Sequence, residues 1–183
     1  MGKVARFMLW SRHLGGIRLA LAALACVLGC ALVVACASSG FDGRVYHDDE
    51  MRFQVGPIPS TWHPVVVEGA RLAFRDDAAN STVALNGRCK VDGDDVPLAS
   101  LTQHLFLEFT DRRQMSQTSV TLNGREALRT EISAALDGVQ KQYLVYVLKK
   151  DSCVYDFMYI AAEPDPRARA EFERFVQGFA TLD

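Results

Sequence analysis

Side chains able to do covalent or acid–base chemistry are few in this chain of 183 residues, and they are scattered. The five cysteines are Cys26, Cys30, Cys36, Cys89 and Cys153. A cysteine sulfur serves as nucleophile, metal ligand or half of a disulfide, according to its neighbours and its redox compartment. Cys89 and Cys153 lack the CxxC spacing that brings sulfurs together in structural zinc sites. Of the histidines, His47, His63 and His104 lie beyond the first 36 residues, and only His47 has carboxylates beside it, in the run His47, Asp48, Asp49, Glu50. Adjacent residues on one loop rarely converge on one ion, so this run reads as a solvated turn, with metal binding as the alternative. The run Asp92, Gly93, Asp94, Asp95 has part of a calcium loop but neither its alternating ligands nor its terminal glutamate, and reads as a turn as well. No G-x-S-x-G elbow, P-loop or G-x-G-x-x-G is present, so the common hydrolase, nucleotide and dinucleotide chemistries have no local support. No catalytic residue, metal site or cofactor is therefore assigned. A small hydrolase using His47 or His104 as base remains the alternative, and it requires a cleft that collects a histidine, a carboxylate and a nucleophile.

The cysteines sort by their surroundings. Arg12, His13 and Arg18 precede an apolar run from Leu19 to Ala35, interrupted by Gly29 and ending at Cys36, after which Ser38, Ser39, Gly40 and Asp42 turn the chain polar. Positive charge, apolar run and small residues in that order make a secretory leader. Val33, Val34 and Ala35 directly before Cys36 resemble the lipobox of bacterial lipoproteins, a resemblance confined to the leader. It implies that the Cys36 sulfur receives a diacylglycerol, that the bond between Ala35 and Cys36 is cut, and that the new amino terminus is acylated, palmitate being the usual kind of chain. Cys30, behind Val27, Leu28 and Gly29, is a second site, but cleavage there would leave Ala31 to Ala35 on the mature protein. An uncleaved spanning helix is the competing reading, and the run is at the lower length limit for ~30 Å of hydrocarbon. Translation starts at Met1 or Met8. Because Ala37 and not aspartate follows Cys36, the resemblance places the protein at the outer membrane, facing periplasm or cell surface. The chain thus divides into a signal peptide at 1–35, a lipid-anchored tether at 36–43 and one domain at 44–183.

Removal of the leader changes the charge. Residues 1–35 hold four basic side chains, Lys3, Arg6, Arg12 and Arg18, and no acidic one, which leaves sixteen basic against all 22 acidic side chains. An acidic surface gives nucleic acid nothing to bind. The 49% apolar content supports one well-formed core and excludes disorder. With Cys26 and Cys30 lost and Cys36 lipidated, Cys89 and Cys153 remain as an even pair in an exported domain, the pattern of a disulfide. Closing a loop of ~65 residues stabilises by at most about 4 kcal/mol in the chain-entropy model. Two separate buried thiols are the alternative.

The elements follow from periodicity. Met51, Phe53 and Val55 alternate with polar residues and end at Gly56, Pro57 and Pro59, a strand pattern. Trp62 leads into Val65–Val67, which, with 71–75 and 81–86, reads as further strands. Pro97 opens an amphipathic helix carrying Leu98, Leu101, Leu105 and Phe109. Asn123–Gly124 joins strands 117–122 and 126–133 in a tight hairpin. Turns at Asp137–Gly138 and Lys150–Ser152 add strands 139–149 and 153–162, completing a four-strand antiparallel meander. Asp165 and Pro166 start a closing helix with Ala168, Phe172, Phe175, Val176 and Phe179 on one stripe and Gly178 near its end. The expected class is α+β, an antiparallel sheet with the central and C-terminal helices packed on one face. Tyr155, Phe157 and Tyr159 share one side of the last strand, opposite Val154, Met158 and Ile160. They are either core or an exposed binding surface.

The early strand followed by Pro57, Pro59 and Trp62, the central helix, the long meander and the terminal helix together resemble the PsbP-like fold. That fold occurs in a photosystem extrinsic subunit, in a nuclear-transport factor that binds Ran and in exported bacterial lipoproteins. Its members are mostly binding or assembly modules with no common catalytic site. The resemblance implies a lipid-anchored envelope protein whose domain binds a protein partner without catalysis. Besides the small hydrolase, a carrier of an apolar ligand is an alternative, requiring a cavity between sheet and helix lined by residues such as Phe106 and Tyr159.

Overall fold

The computed structural model describes residues 39–90 and 96–182. Among these residues eleven strands and two helices follow in the order β1 (Gly40–Phe41), β2 (Val45–His47), β3 (Arg52–Gln54), β4 (Trp62–Pro64), β5 (Leu72–Asp76), β6 (Ser81–Cys89), α1 (Leu98–His104), β7 (Thr110–Leu122), β8 (Arg125–Leu136), β9 (Val139–Lys150), β10 (Cys153–Ala161), α2 (Pro166–Gln177) and β11 (Ala180–Thr181). The strands form a seven-stranded sheet in the order β4-β5-β6-β10-β9-β8-β7 and a four-stranded sheet in the order β1-β2-β3-β11. Every pairing is antiparallel. The protein is mostly sheet, so α+β describes it only approximately. Among the described residues no helix is long and apolar enough to cross a membrane.

The C-terminal meander is present as the turns dictate. Asn123 and Gly124 adopt φ of 47° and 73°, and Asp137 and Gly138 adopt 49° and 77°, the left-handed pairs that match the twist of a two-residue hairpin. The last helix starts with Asp165 as its cap, the carboxylate accepting from the Ala168 amide at 2.8 Å, and Pro166 in the first turn where no amide donor is needed.

The two helices do not share a face. In β9 the six residues Tyr143–Leu148 are all buried, so both alternating sets need cover. Leu144, Tyr146 and Leu148 join Phe53, Trp62, Phe74, Tyr155, Phe157 and the α2 residues Phe172, Phe175 and Val176 in one core cluster. Tyr143, Val145 and Val147 join Ile132, Phe106 and Val154, with Leu98 and Leu101 of α1 and the following Leu105 packed against them. We call the α2 side the inner face and the α1 side the outer face. The small sheet also covers the inner face, where Phe53 meets Tyr155 and Phe179 at ring separations of 6.0 and 5.8 Å.

Three segments depart from their sequence patterns. Val65–Val67 is a loop beyond β4, with the Val66 side chain fully exposed. β7 begins at Thr110, well before the expected 117, because Asp111, Arg112, Arg113 and Gln114 hide a strand that lies at the sheet edge and needs no apolar side. Two register irregularities bend this stretch, between Thr110 and Arg113 and between Gln114 and Ser116. β1 lies inside the segment expected to be tether.

The end of α2 is set against the small sheet through two glycines. The Gly56 amide donates to the Phe175 carbonyl at 2.8 Å. A Cβ on Gly56 would run into the Arg174 carbonyl, and one on Gly178 into the Gly56 backbone.

Candidate functional site

The histidines stand on separate elements. His47 ends β2, His63 lies on β4 with Nε2 3.7 Å from Asp77 Oδ2, and His104 ends α1. All three are exposed. The structure does not bring them together in one cleft with a nucleophile.

The acidic run beside His47 is the turn between β2 and β3, and its carboxylates are engaged. Asp48 Oδ1 accepts the Glu50 and Met51 amides at 2.8 and 2.9 Å. Its Oδ2 accepts the Tyr46 hydroxyl at 2.9 Å and Arg71 Nη1 at 2.8 Å. Arg71 reaches Glu50 through Nη2 at 2.6 Å and the Gly87 carbonyl through Nε at 3.2 Å. Burial pushes the Asp48 carboxyl up, but the Glu50 and Met51 amides, then Tyr46 and Arg71, outweigh it and hold it below the usual aspartate value. This constellation clamps the small sheet to β5 and β6. Among the described residues no group of three or more His, Cys, Asp or Glu is placed to hold a metal ion. Asp92, Asp94 and Asp95 lie outside the described residues, as does Cys36.

Cys89 and Cys153 form a disulfide. They are direct partners in the β6–β10 register, so the bond ties two neighbouring strands that are 64 residues apart in sequence.

Tyr155, Phe157 and Tyr159 are not a binding surface. They are 2%, 0% and 2% exposed, because α2 and the Phe179 that follows it lie directly over them: Phe179 meets Tyr155 and Phe157 at 4.8 and 5.1 Å, and Phe172 of α2 meets Tyr159 at 5.8 Å. Phe106 and Tyr159 belong to opposite faces, so no cavity is lined by both. The space beside Tyr159, bounded by Met115, Glu131 and Arg169 among others, is about 100 Å³, below the ~300 Å³ of small-molecule pockets.

The unusual chemistry lies on the outer face, on the strand whose aromatics point inward. Val154, Asp156, Met158 and Ile160 alternate along β10, and Asp156 is a carboxylate in an otherwise apolar stripe, 7% exposed. It pairs in register with Asn86 on β6 and with Val147 on β9. Burial pushes its carboxyl up to about 6, against the opposing pull of Arg88, whose Nη2 donates to Oδ1 at 3.3 Å. Arg88 Nε is buried without a protein partner. Sequence reasoning assigned Asp156 no role, although a lone carboxylate at an apolar position of a period-two pattern is a visible signal.

Thr82, Ala84, Asn86 and Arg88 of β6 lie on this face with Arg75 of β5, giving a polar strip beside the part of the sheet that α1 packs against. Arg75 donates to Thr82 Oγ1 and to Asp77, both at 3.3 Å, and to Asn80. An open cleft of about 630 Å³ lies where α1 begins, lined by Arg125, Lys149 and Lys150 as well as Glu126 and Asp151.

No family model matches the chain, and no curated protein does. Solved structures do. Cyanobacterial PsbP from Synechocystis sp. PCC 6803 is similar at 14% identity with a TM-score of 0.52, covering 82% of this chain and 99% of that one. LpqN, involved in cell envelope biogenesis of Mycobacterium tuberculosis, is similar at 13% identity with a TM-score of 0.51, over 75% of this chain and 88% of that one. Mog1 is similar at 9% identity with a TM-score of 0.51, over 80% of this chain and 95% of that one. Likeness at such identities is likeness of fold alone, and the fold is the one these proteins share with PsbP.

Proposed function

We propose that the protein is a lipid-anchored cell-envelope lipoprotein whose domain is a non-catalytic binding or assembly module. The observation that carries this reading is the Cys89–Cys153 disulfide across adjacent strands, in a chain whose leader ends in Val33, Val34, Ala35 and Cys36. Disulfides persist in oxidising compartments, outside the cytosol, so leader and domain point to the same place. The fold shared with LpqN, itself involved in cell envelope biogenesis, supports an envelope role, and the mixture of functions among proteins of this fold argues against reading any one of them across. Two or three acyl chains at ~0.8 kcal/mol per buried methylene hold a protein to a bilayer without a spanning segment. The missing aspartate after Cys36 favours the outer membrane. The partner-facing surface is the outer-face strip around Arg88 and Asn86, where polar side chains lie beside apolar Ala84 and Met158.

Fatty-acid labelling of cells expressing Cys36→Ala tests the anchor: label is lost and an unprocessed precursor accumulates. Unchanged labelling overturns it. For the module, a photocrosslinker at Asn86 captures one envelope protein reproducibly, while the same probe at Val139 on the β8–β9 hairpin tip does not.

A further inference from the structure

Among the described residues, large exposed apolar side chains occur at three places. Leu136 and Val139 cap the β8–β9 hairpin, and Leu107 and Met115 flank the start of β7. Val66 and Val67, at 101% and 40% exposed, form the tip of the β4–β5 loop. Single exposed apolar residues are ordinary. Two consecutive exposed valines at the tip of a loop fixed at both ends, following a half-buried Val65, are less so. The Val65 amide donates to Ala73 at 3.0 Å, the Ala70 amide closes onto Val67 at 3.1 Å, and the Arg71 amide holds Leu85 at 2.8 Å. The tip is therefore presented by the sheet and has nowhere in the core to fold into.

Its position relative to the start of the domain selects its occupant. Phe41 of β1 packs on Phe74 of β5 at 6.0 Å between ring centres. Phe74 is the register partner of Pro64, and Pro64 precedes Val66 by two residues, a reach of at most ~7 Å. β1 and β4 are outer strands of their sheets, and the Phe41–Phe74 contact sets β1 beside β5, the neighbour of β4. If Cys36 carries the lipid, four residues connect it to Gly40, at most ~14 Å of chain. The margin that presents Val66 is thus held next to the bilayer. The β8–β9 hairpin lies across the sheet, β9 four and β8 five strand positions from β4, ~20 Å or more at ~4.8 Å per strand. Resting on the lipid-anchor reading, we propose that the Val65–Val67 tip is a second membrane contact, entering the headgroup–acyl boundary beside the anchor and fixing which side of the domain faces away from the bilayer. Arg71 is already engaged by Asp48 and Glu50, and Glu68 sits in the loop itself. The contact is therefore apolar in origin and needs no anionic lipid.

The test uses the full chain extracted from membranes and reconstituted in phosphatidylcholine vesicles, with Val66→Cys labelled by a polarity-sensitive nitrobenzoxadiazole probe. In the acylated, disulfide-bonded protein that introduced thiol is the reactive one. The expected result is a blue-shifted emission about twofold brighter than that of the same probe at Val139 in the same vesicles, and quenched by spin label near the headgroup. The probe at Val139 keeps an aqueous spectrum and is not quenched. An aqueous spectrum at Val66 on protein that mass spectrometry shows to be acylated at Cys36 overturns the contact and leaves the anchor standing. Absence of the acyl group overturns both.

Discussion

The two faces of the seven-stranded sheet are buried by different means. On the inner face, Phe172, Phe175 and Phe179 reach the strand aromatics directly, Phe175 lying 5.6, 6.1 and 6.4 Å from Trp62, Phe74 and Phe157. Those side chains are at most 6% exposed. On the outer face, α1 has seven residues, and its Leu98 and Leu101, with Leu105 just after it, are only half-buried. The aromatic group there is a small one, Phe106, Phe109 and Tyr143 at 5.1–5.4 Å. Apolar burial stabilises roughly in proportion to area removed from water, so the inner face holds the fold. The outer face is left free to keep a carboxylate in a costly place.

The comparison breaks or holds first on truncation. Phe175→Ala leaves a large cavity among rings that cannot collapse onto it, and about 3–5 kcal/mol is the expected loss, enough to unfold a small domain. Leu101→Ala on α1 is expected to cost about 1–2 kcal/mol, because much of that side chain is already in water. Urea unfolding of both variants with the disulfide intact gives the ratio, and equal losses would remove the distinction between the faces.

A second measurement sharpens the outer face. The Asp156 carboxyl is raised to about 6 from 3.8, so between those values the folded chain binds more protons than the unfolded chain, and stability falls as pH rises through that window. A rise of this size costs the folded state on the order of 3 kcal/mol above the window. Asp156→Asn removes the charge and keeps an acceptor for Arg88. We expect the variant to be more stable than the parent at pH 8 by about 1–2 kcal/mol and indistinguishable at pH 4. Denaturation at the two pH values checks it; a variant less stable than the parent at pH 8 would mean that the Arg88 pair outweighs burial.

Much of this was legible in the chain, and the omissions have causes. Asn123–Gly124 and Asp137–Gly138 allow little besides hairpins, and the stripe Ala168, Phe172, Phe175, Val176 marks a helix whose cap and first-turn proline precede it. An even pair, Cys89 and Cys153, lies beyond the expected leader and suggests a disulfide with two separate thiols as the alternative, and the structure pairs them. What periodicity does not carry is which side of a sheet an element crosses to. Tyr143–Leu148 is apolar on both alternations, the sign that both faces are covered, but the pattern does not say which helix covers which face, nor whether Tyr155, Phe157 and Tyr159 are core or surface. Val65–Val67 has the composition of a strand and is a loop, because Pro64 ends β4 and Gly69, at a φ of 79°, turns the chain back. The small sheet was only partly visible, since strands of two or three residues leave no periodic trace.

The inner face has its own ionic rim, and it behaves oppositely to Asp156. Glu131 on β8 accepts from Arg129 Nη1 at 2.8 Å and from Arg169 of α2 through both of its oxygens. Arg129 continues to Glu173 at 3.0 Å and to the Tyr146 hydroxyl at 3.0 Å. The Arg169 hydrogen bond comes first in holding the Glu131 carboxyl below its ordinary 4.5; burial opposes it, and Arg129 adds to it. A depressed carboxyl contributes stability above the unfolded value and loses it as pH falls through the folded one. The rim therefore weakens in acid, where the outer face gains. These side chains are partly exposed, 18–31%, so solvent screening limits the network, and Glu131→Gln is expected to cost about 1 kcal/mol at pH 7 and low salt. That loss shrinks below pH 4 and in 1 M salt, while the Phe175→Ala loss does not. A Glu131→Gln penalty that persists unchanged in acid and salt would show the side chain to be packing α2 onto β8 by shape and not by charge.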